Sequence, residues 1–242
     1  MSPATASQFV PSAPAASSDA ALAVAGVGFV ADAAGVIYWP EQGLLAVADL
    51  HLEKGSSYAE RGVLLPPYDT AATLARLSVL ISRYAPRVVV ALGDNFHDRR
   101  GHMRMADTDR ATLKGLQRGR DWVWITGNHD PEPAENIGGR FLGILTVGAL
   151  TFRHQPEEGA TGEIAGHLHP VARVSRRGRA VSRRCFACDE TRMVMPAFGA
   201  FTGGLNVRDR AFAMVFQTLA FTAHMMGAER VYAVAARHCM PD

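Results

Sequence analysis

Four short clusters of carboxylate, amide and imidazole side chains, each placed directly after an apolar run, constrain this chain more than any other feature. They are Asp49-Leu50-His51, Gly93-Asp94-Asn95, Gly127-Asn128-His129-Asp130 and Gly166-His167-Leu168-His169. The first three follow the runs 44–48, 88–92 and 122–125; the fourth follows the shorter Ile164-Ala165. Strands that are apolar on both faces lie inside a covered sheet, and α/β sheets bind ligands in the crevice beyond their strand ends. The clusters are therefore predicted in strand-end loops that converge on one site. Their side chains suit a hard-to-borderline divalent ion.

The rest of the chain is compatible with one sizeable domain. At 242 residues it can bury a proper core. Residues 2–18 are rich in Ala, Ser and Pro, so residues 1–20 are expected to be a disordered tail and 21–242 a single domain. No Lys or Arg precedes Lys54, which argues against a signal peptide, and the apolar stretch 20–30 is too short to span a bilayer. Cys185, Cys188 and Cys239 make no disulfide framework, which points to a reducing, cytoplasmic compartment. Cys185 and Cys188 form a CxxC without the second pair that a zinc site needs, and are read as ordinary thiols. A formal charge of +2 does not demand a nucleic-acid partner.

Strands and helices alternate along the chain. Residues 24–30 and 36–39 flank Asp32-Ala33-Ala34-Gly35 and read as a hairpin. Pro66-Pro67-Tyr68-Asp69 opens a helix carrying Leu74, Leu77, Ile81 and Tyr84 at helical spacing, and Pro86 ends it. A second helix is predicted over 106–118. Beyond Phe141 glycine-punctuated strands are expected to about Phe216, followed over 219–234 by a helix and a last short strand.

Hydrolysing a phosphate ester at neutral pH requires activated water and neutralisation of charge on the phosphoryl oxygens, and a pair of divalent ions supplies both. Such a pair needs a carboxylate able to bridge and about three further ligands per ion. The chain offers Asp49, His51, Asp94, Asn128, His167 and His169, with His154 as a seventh candidate. Alone, Asp-x-His is common surface decoration and Gly-Asp-Asn a common turn. Gly-Asn-His-Asp and Gly-His-x-His-Pro behind buried strands are more specific, and the four clusters together favour a dinuclear site. Manganese suits the oxygen and nitrogen ligands best; iron and zinc also fit.

The order Asp-x-His, Gly-Asp, Gly-Asn-His-Asp, His, Gly-His-x-His resembles the calcineurin-like metallophosphoesterases. The segments 48–55, 92–98 and 196–206 look like the ligase-associated branch of that superfamily, described in bacteria as DNA damage response endonucleases associated with a DNA ligase and a helicase. The resemblance implies a four-layered α/β/β/α sandwich. It also implies one metal on Asp49, His51, Asp94 and His169, and a second on Asp94, Asn128, His154 and His167. His129 would face the leaving group or the phosphate oxygens. Many members of the superfamily carry Asp three residues after the bridging Asp, where it holds the catalytic histidine. Here His97 occupies that place, which leaves the orientation of His129 open; Asp98 or Asp130 could substitute as its partner.

Other basic and glycine-rich segments allow two readings each. Arg173, Arg176, Arg177, Arg179, Arg183 and Arg184 form a strip that either tracks a nucleic-acid backbone or is a solvated hairpin at a sheet edge. Arg99 and Arg100 either meet a substrate phosphate or pair with Asp98, Asp107 or Asp109. The segment 196–206 lacks the Gly-Lys-Ser/Thr of a P-loop and is read as backbone packed beneath the site. The expected protein is a phosphodiesterase acting on nucleic acid or a related diester. A small-molecule phosphatase or nucleotide pyrophosphohydrolase is the alternative within the same chemistry. A metal-free scaffold is disfavoured, because no candidate ligand is missing.

Overall fold

Alternation of side chains along the strands dictates the layers. In the strand Leu44–Val47, Leu44 and Ala46 enter one apolar core while Leu45 and Val47 enter another. An all-apolar strand of this kind needs cover on both faces. The computed structural model describes residues 20–242 and provides that cover through two packed sheets, each with helices outside it.

The first sheet holds β1 (Ala20–Val24), β2 (Val27–Ala31), β3 (Ile37–Trp39), β4 (Leu44–Val47), β5 (Val88–Leu92), β6 (Asp121–Ile125) and β7 (Arg140–Leu142), side by side in chain order. Strands β1 to β4 are antiparallel neighbours and β4 to β7 parallel ones. The second sheet holds β8 (Ile144–Val147), β9 (Leu150–Arg153), β10 (Glu163–Ala165), β11 (Pro170–Arg176), β12 (Arg179–Cys188), β13 (Arg192–Val194), β14 (Leu205–Asn206), β15 (Thr222–Met226) and β16 (Val231–Ala235). Its main path runs β14-β11-β12-β13-β10-β9-β8, with β15 on β12 and β16 on β15. The helices are α1 (Lys54–Ala59), α2 (Asp69–Tyr84), α3 (Gly101–Arg104), α4 (Asp107–Gln117) and α5 (Arg210–Phe216).

Three cores separate four layers. Leu77 and Ile81 of α2 and Leu113 of α4 pack on Val89, Ala91 and Trp124 of the first sheet. Val90 and Ile125 meet Phe152, Ile164 and Phe186 between the sheets. Phe212 and Phe216 of α5 cover Ala172, Cys185 and Val194 on the far side. The architecture is the expected α/β/β/α sandwich.

Several local expectations are corrected. The apolar stretch from Val24 is two strands, because Ala25 and Gly26 have φ of 50° and 77° and turn the chain back on itself. The first strand starts at Ala20, one residue inside the expected tail; the remainder of that tail lies outside the described residues. Residues 210–216 are helix α5 rather than strand, capped by the Asp209 carboxylate accepting from the Ala211 amide. The segment 219–234, expected to begin with a helix, supplies β15 and most of β16, which pair antiparallel.

Cys185 and Cys188 stand three residues apart in one strand and so point into different cores. They cannot share one ion. All three cysteines are free and buried, and burial pushes the Cys188 thiol up to about 12. Among the described residues no helix is long and apolar enough to cross a membrane.

Candidate metal centre

The first three clusters leave the carboxyl ends of β4, β5 and β6, and the fourth leaves β10, with His154 directly after β9. The first, second and fourth clusters do so through left-handed backbone. Asp49, His51, Asp94, His167 and His169 have φ of 53°, 42°, 45°, 70° and 47°. Non-glycine residues seldom adopt this region, which costs roughly 1–3 kcal/mol each and persists only where the surroundings enforce it. The enforcement is visible around Asp49: Leu50 and Leu52 drop into the core beneath the helices, while Asp49 and His51 turn towards the site.

Two donor groups meet at Asp94. Asp49, His51 and His169 form one group and Asp94, His154 and His167 the other, with the donor atoms of each within 4.8 Å of one another; His51, His97 and His129 make a third set beside the first. In the first, His169 Nε2 lies 3.2 Å from Asp49 Oδ1 and 3.4 Å from His51 Nε2. In the second, His154 Nε2 lies 3.3 Å from Asp94 Oδ1, 2.9 Å from Asn128 Oδ1 and 3.2 Å from His167 Nδ1. The other oxygen, Asp94 Oδ2, faces His51 Nε2 at 3.8 Å and His129 Nε2 at 3.9 Å. Asp94 therefore offers one oxygen to each group. Backbone amides set its orientation and that of Asp49: His129 N–H donates to Asp94 Oδ1 at 2.9 Å, and His167 N–H donates to the Asp49 carboxylate.

The donor set fits divalent cations. Asp49 and Asp94 are buried, yet among the described residues neither is paired with Lys or Arg; both face imidazoles. Buried anions in this state need positive charge. His154 supplies some as the structure stands. Burial opposes its protonation, but the hydrogen bond to Asp94 and the charges of Asp49 and Asp94 outweigh that and raise it to about 9. For Asp94 burial likewise opposes ionisation, and the bonds from His154 and the His129 amide hold its carboxyl far below the usual range. Burial drives His51 down to about 3, so its ring is a neutral donor, and its Nδ1 is buried without a protein partner.

Glycines make room for these contacts. Gly93 has φ +75°, and a Cβ there would lie 2.5 Å from the His154 ring. Gly127 packs its Cα against the Asp94 amide and carboxylate, leaving no space for a side chain. Gly93→Ala is accordingly expected to displace His154 and reduce the bound metal to about one equivalent, measured by elemental analysis after dialysis. Two equivalents retained would show that the His154 ring can move without loss of its role.

The partner of His129 is neither of the two candidate carboxylates. His129 Nδ1 lies 2.7 Å from the backbone carbonyl of His97, so Nδ1–H donates there and Nε2 is the end that faces the site. Asp98 instead binds Arg104 Nη2 at 2.6 Å and the Arg100 amide at 2.9 Å. Asp130 is buried and accepts from the amides of Gly127 and Asn95 and from Asn95 Nδ2, each at 2.9–3.0 Å. It ties the second cluster to the third, and burial together with the charge of Asp94 raises it to about 6 against those hydrogen bonds. The His97 side chain lies beside the centre, its ring 5.6 Å from that of His51 and 5.4 Å from that of His129.

Arg99 and Arg100 are exposed; Arg99 pairs loosely with Glu132 at 3.6 Å, not with Asp98, Asp107 or Asp109. The arginine strip occupies the β11–β12 hairpin, whose turn at Arg177-Gly178 lies six residues or more beyond Pro170. At about 3.3 Å per residue the tip stands roughly 20 Å from the centre. Arg184 belongs to a different job. It donates to the carbonyls of Ala197, Gly199 and Thr202, while Arg76 donates to Phe198 O and lies 4.0 Å over the Phe198 ring. The 196–206 segment so held donates from Phe198 N to Ala48 O and from Gly199 N to Asp49 O, packing under the first cluster as expected.

Two determinants escape sequence reasoning. Arg76 sits on α2, where a helix-surface arginine is unremarkable by pattern. Glu163 and Arg192 form a buried pair at 2.7 Å; Glu163 accepts from Glu157 N, and Arg192 donates to Glu157 O and Val215 O. The pair anchors the turn that follows His154, and breaking such a pair strands a charge at a cost of about 3–5 kcal/mol. The only sequence signal was a Glu opening the apolar strand β10.

The calcineurin-like phosphoesterase family model matches residues 44–174, which contain all seven candidate ligands. The crystal structure of Pseudomonas putida nuclease MPE is similar to this chain at 27% identity and a TM-score of 0.67, over 89% of this chain and 100% of that one. No curated protein matches the chain.

Proposed function

The chain belongs to the calcineurin-like phosphoesterase family and is a metal-dependent phosphoesterase, and from that premise we propose that it is a dinuclear-metal phosphodiesterase that cleaves nucleic-acid diesters. The observation that carries the dinuclear reading is Asp94, with one carboxylate oxygen turned to each of two donor groups. Asp49, His51, Asp94 and His169 would hold one ion, and Asp94, Asn128, His154 and His167 the other. Manganese is the preferred ion, since the set contains no thiolate. Bound there, the pair would supply an activated water and charge neutralisation for the phosphoryl group.

The protein's own groups do the rest. Asp130 and the hydrogen bond that the His129 amide donates to the Asp94 carboxylate hold the loops that present the ligands. His129, fixed through Nδ1 and with Nε2 directed at the site, is positioned to protonate a departing alkoxide. A hollow of about 310 Å³ reaches Asn128 and His154 and another of about 230 Å³ reaches His167, and they leave space for a substrate extending beyond one phosphoryl group.

Nuclease activity in the Pseudomonas protein, similar over nearly all of both chains, supports a nucleic-acid substrate. A role in DNA repair beside a ligase and a helicase, in the cytoplasm, extends the reading through the resemblance of residues 48–55, 92–98 and 196–206. The free, buried cysteines agree with a reducing compartment. The test is an assay of metal-loaded protein on a diester, its monoester and single-stranded DNA. Turnover of the diester and DNA that EDTA removes and manganese restores is the expected result. Turnover of the monoester alone would assign a phosphatase instead.

A further inference from the structure

Lys54 is one of only two lysines in a chain whose other basic residues are all arginine. It is half-buried, its Nζ donates to Phe201 O at 3.0 Å and lies 5.9 Å from the Tyr58 ring centre. Among the described residues it has no carboxylate at ion-pair distance. The arginines around the centre are committed: Arg104 to Asp98 and Glu60, Arg153 and Arg192 to Glu163, Arg76 and Arg184 to loop carbonyls. Arg61 and Arg100 are exposed. An ammonium carries three donors, so two on Lys54 are left for another acceptor.

Its location indicates which acceptor. After burial, Lys54 is the strongest influence pushing His97 down to about 4, so the two lie within electrostatic reach. The His97 ring lies tilted against Tyr58 at 5.6 Å and stands 5.4 Å from His129. Lys54 therefore stands one imidazole beyond His129, the group proposed to protonate the departing alkoxide, with Tyr58 and the part-exposed Phe201 beside it. A cation with spare donors beside an aromatic ring is the composition that tracks a flexible, singly charged backbone with stackable bases.

We propose that Lys54 forms a second anion subsite, taking the phosphate adjacent to the one being cleaved, and so sets the preference for polynucleotides over small diesters. The inference rests on the nucleic-acid phosphodiesterase reading. The experiment compares wild type, Lys54→Met and Lys54→Arg, manganese-loaded, on oligothymidylate and on a p-nitrophenyl thymidine diester that has no neighbouring phosphate.

Lys54→Met is expected to lower kcat/KM for the oligonucleotide at least about tenfold more than for the small diester, acting through KM. It should also flatten the slope of log(1/KM) against log salt for the oligonucleotide by about 0.7, the contribution of one phosphate contact on a single strand. Lys54→Arg should keep most of the slope, which a variant disturbed only in folding would not explain. Equal losses on both substrates, or an unchanged slope, overturn the subsite. Failure of the wild type on both substrates instead overturns the phosphodiesterase reading.

Discussion

Asp94→Asn is expected to release the metal pair and abolish hydrolysis together. The substitution keeps an oxygen acceptor where the His129 amide donates at 2.9 Å, so the loop has no steric reason to move. It removes the negative charge lying between the two donor groups. Two divalent ions about 3.5–4 Å apart repel one another, and a shared carboxylate offsets that repulsion. Losing several kcal/mol of charge stabilisation corresponds to a rate loss of about 10³-fold or more. Metal content after dialysis, measured beside the rate on a p-nitrophenyl diester, decides it. Two ions held at wild-type affinity would place the bridge elsewhere.

His129→Ala is expected to do the opposite with the metals: both stay, while kcat falls by about 10²–10⁴-fold. His129 Nδ1 is occupied by the His97 carbonyl, and its Nε2 is 3.9 Å from Asp94 Oδ2, at the rim of the donor groups and partly open to solvent. If it protonates the leaving group, the loss should shrink with p-nitrophenolate, which departs unaided, and grow with DNA, whose alkoxide needs the proton. Equal losses on the two would assign it to phosphate-oxygen stabilisation. A missing ion in the variant would make it a ligand.

Much of this site is legible in the chain because buried parallel strands report their own ends. The runs 88–92 and 122–125 are apolar on both faces, and whatever follows them must emerge at the crevice. His154 was the weakest candidate because a lone histidine after a strand carries no pattern; its identity lies in Gly93, whose missing side chain makes its berth. The left-handed backbone at Asp49 and His51 was not readable either. Alternate residues of an ordinary strand already share a face, so Asp-x-His spacing does not by itself demand a departure from extended backbone.

Other features were hidden for chemical reasons. The group that holds His129 is a backbone carbonyl, which every residue possesses, so the absence of Asp at position 97 said nothing about the substitute. Arg184 is indistinguishable by type from the exposed Arg183 beside it; only register turns it onto the 196–206 carbonyls. The segment 219–234 carries short apolar runs that satisfy both helical and extended periods, and pairing with β12 decides for strand.

The divided origin of the donors has a thermodynamic consequence. Asp49, Asp94 and Asn128 are carried by the first sheet, and His154, His167 and His169 by the second. Ions held across that seam, as proposed, would bind only when the two sheets are docked and would act as a removable cross-link between the halves of the sandwich. By linkage each would contribute RT ln(1 + [M]/Kd), about 2.7 kcal/mol at a hundredfold excess over Kd. Metal supply would then govern how long the protein stays folded as well as how fast it works.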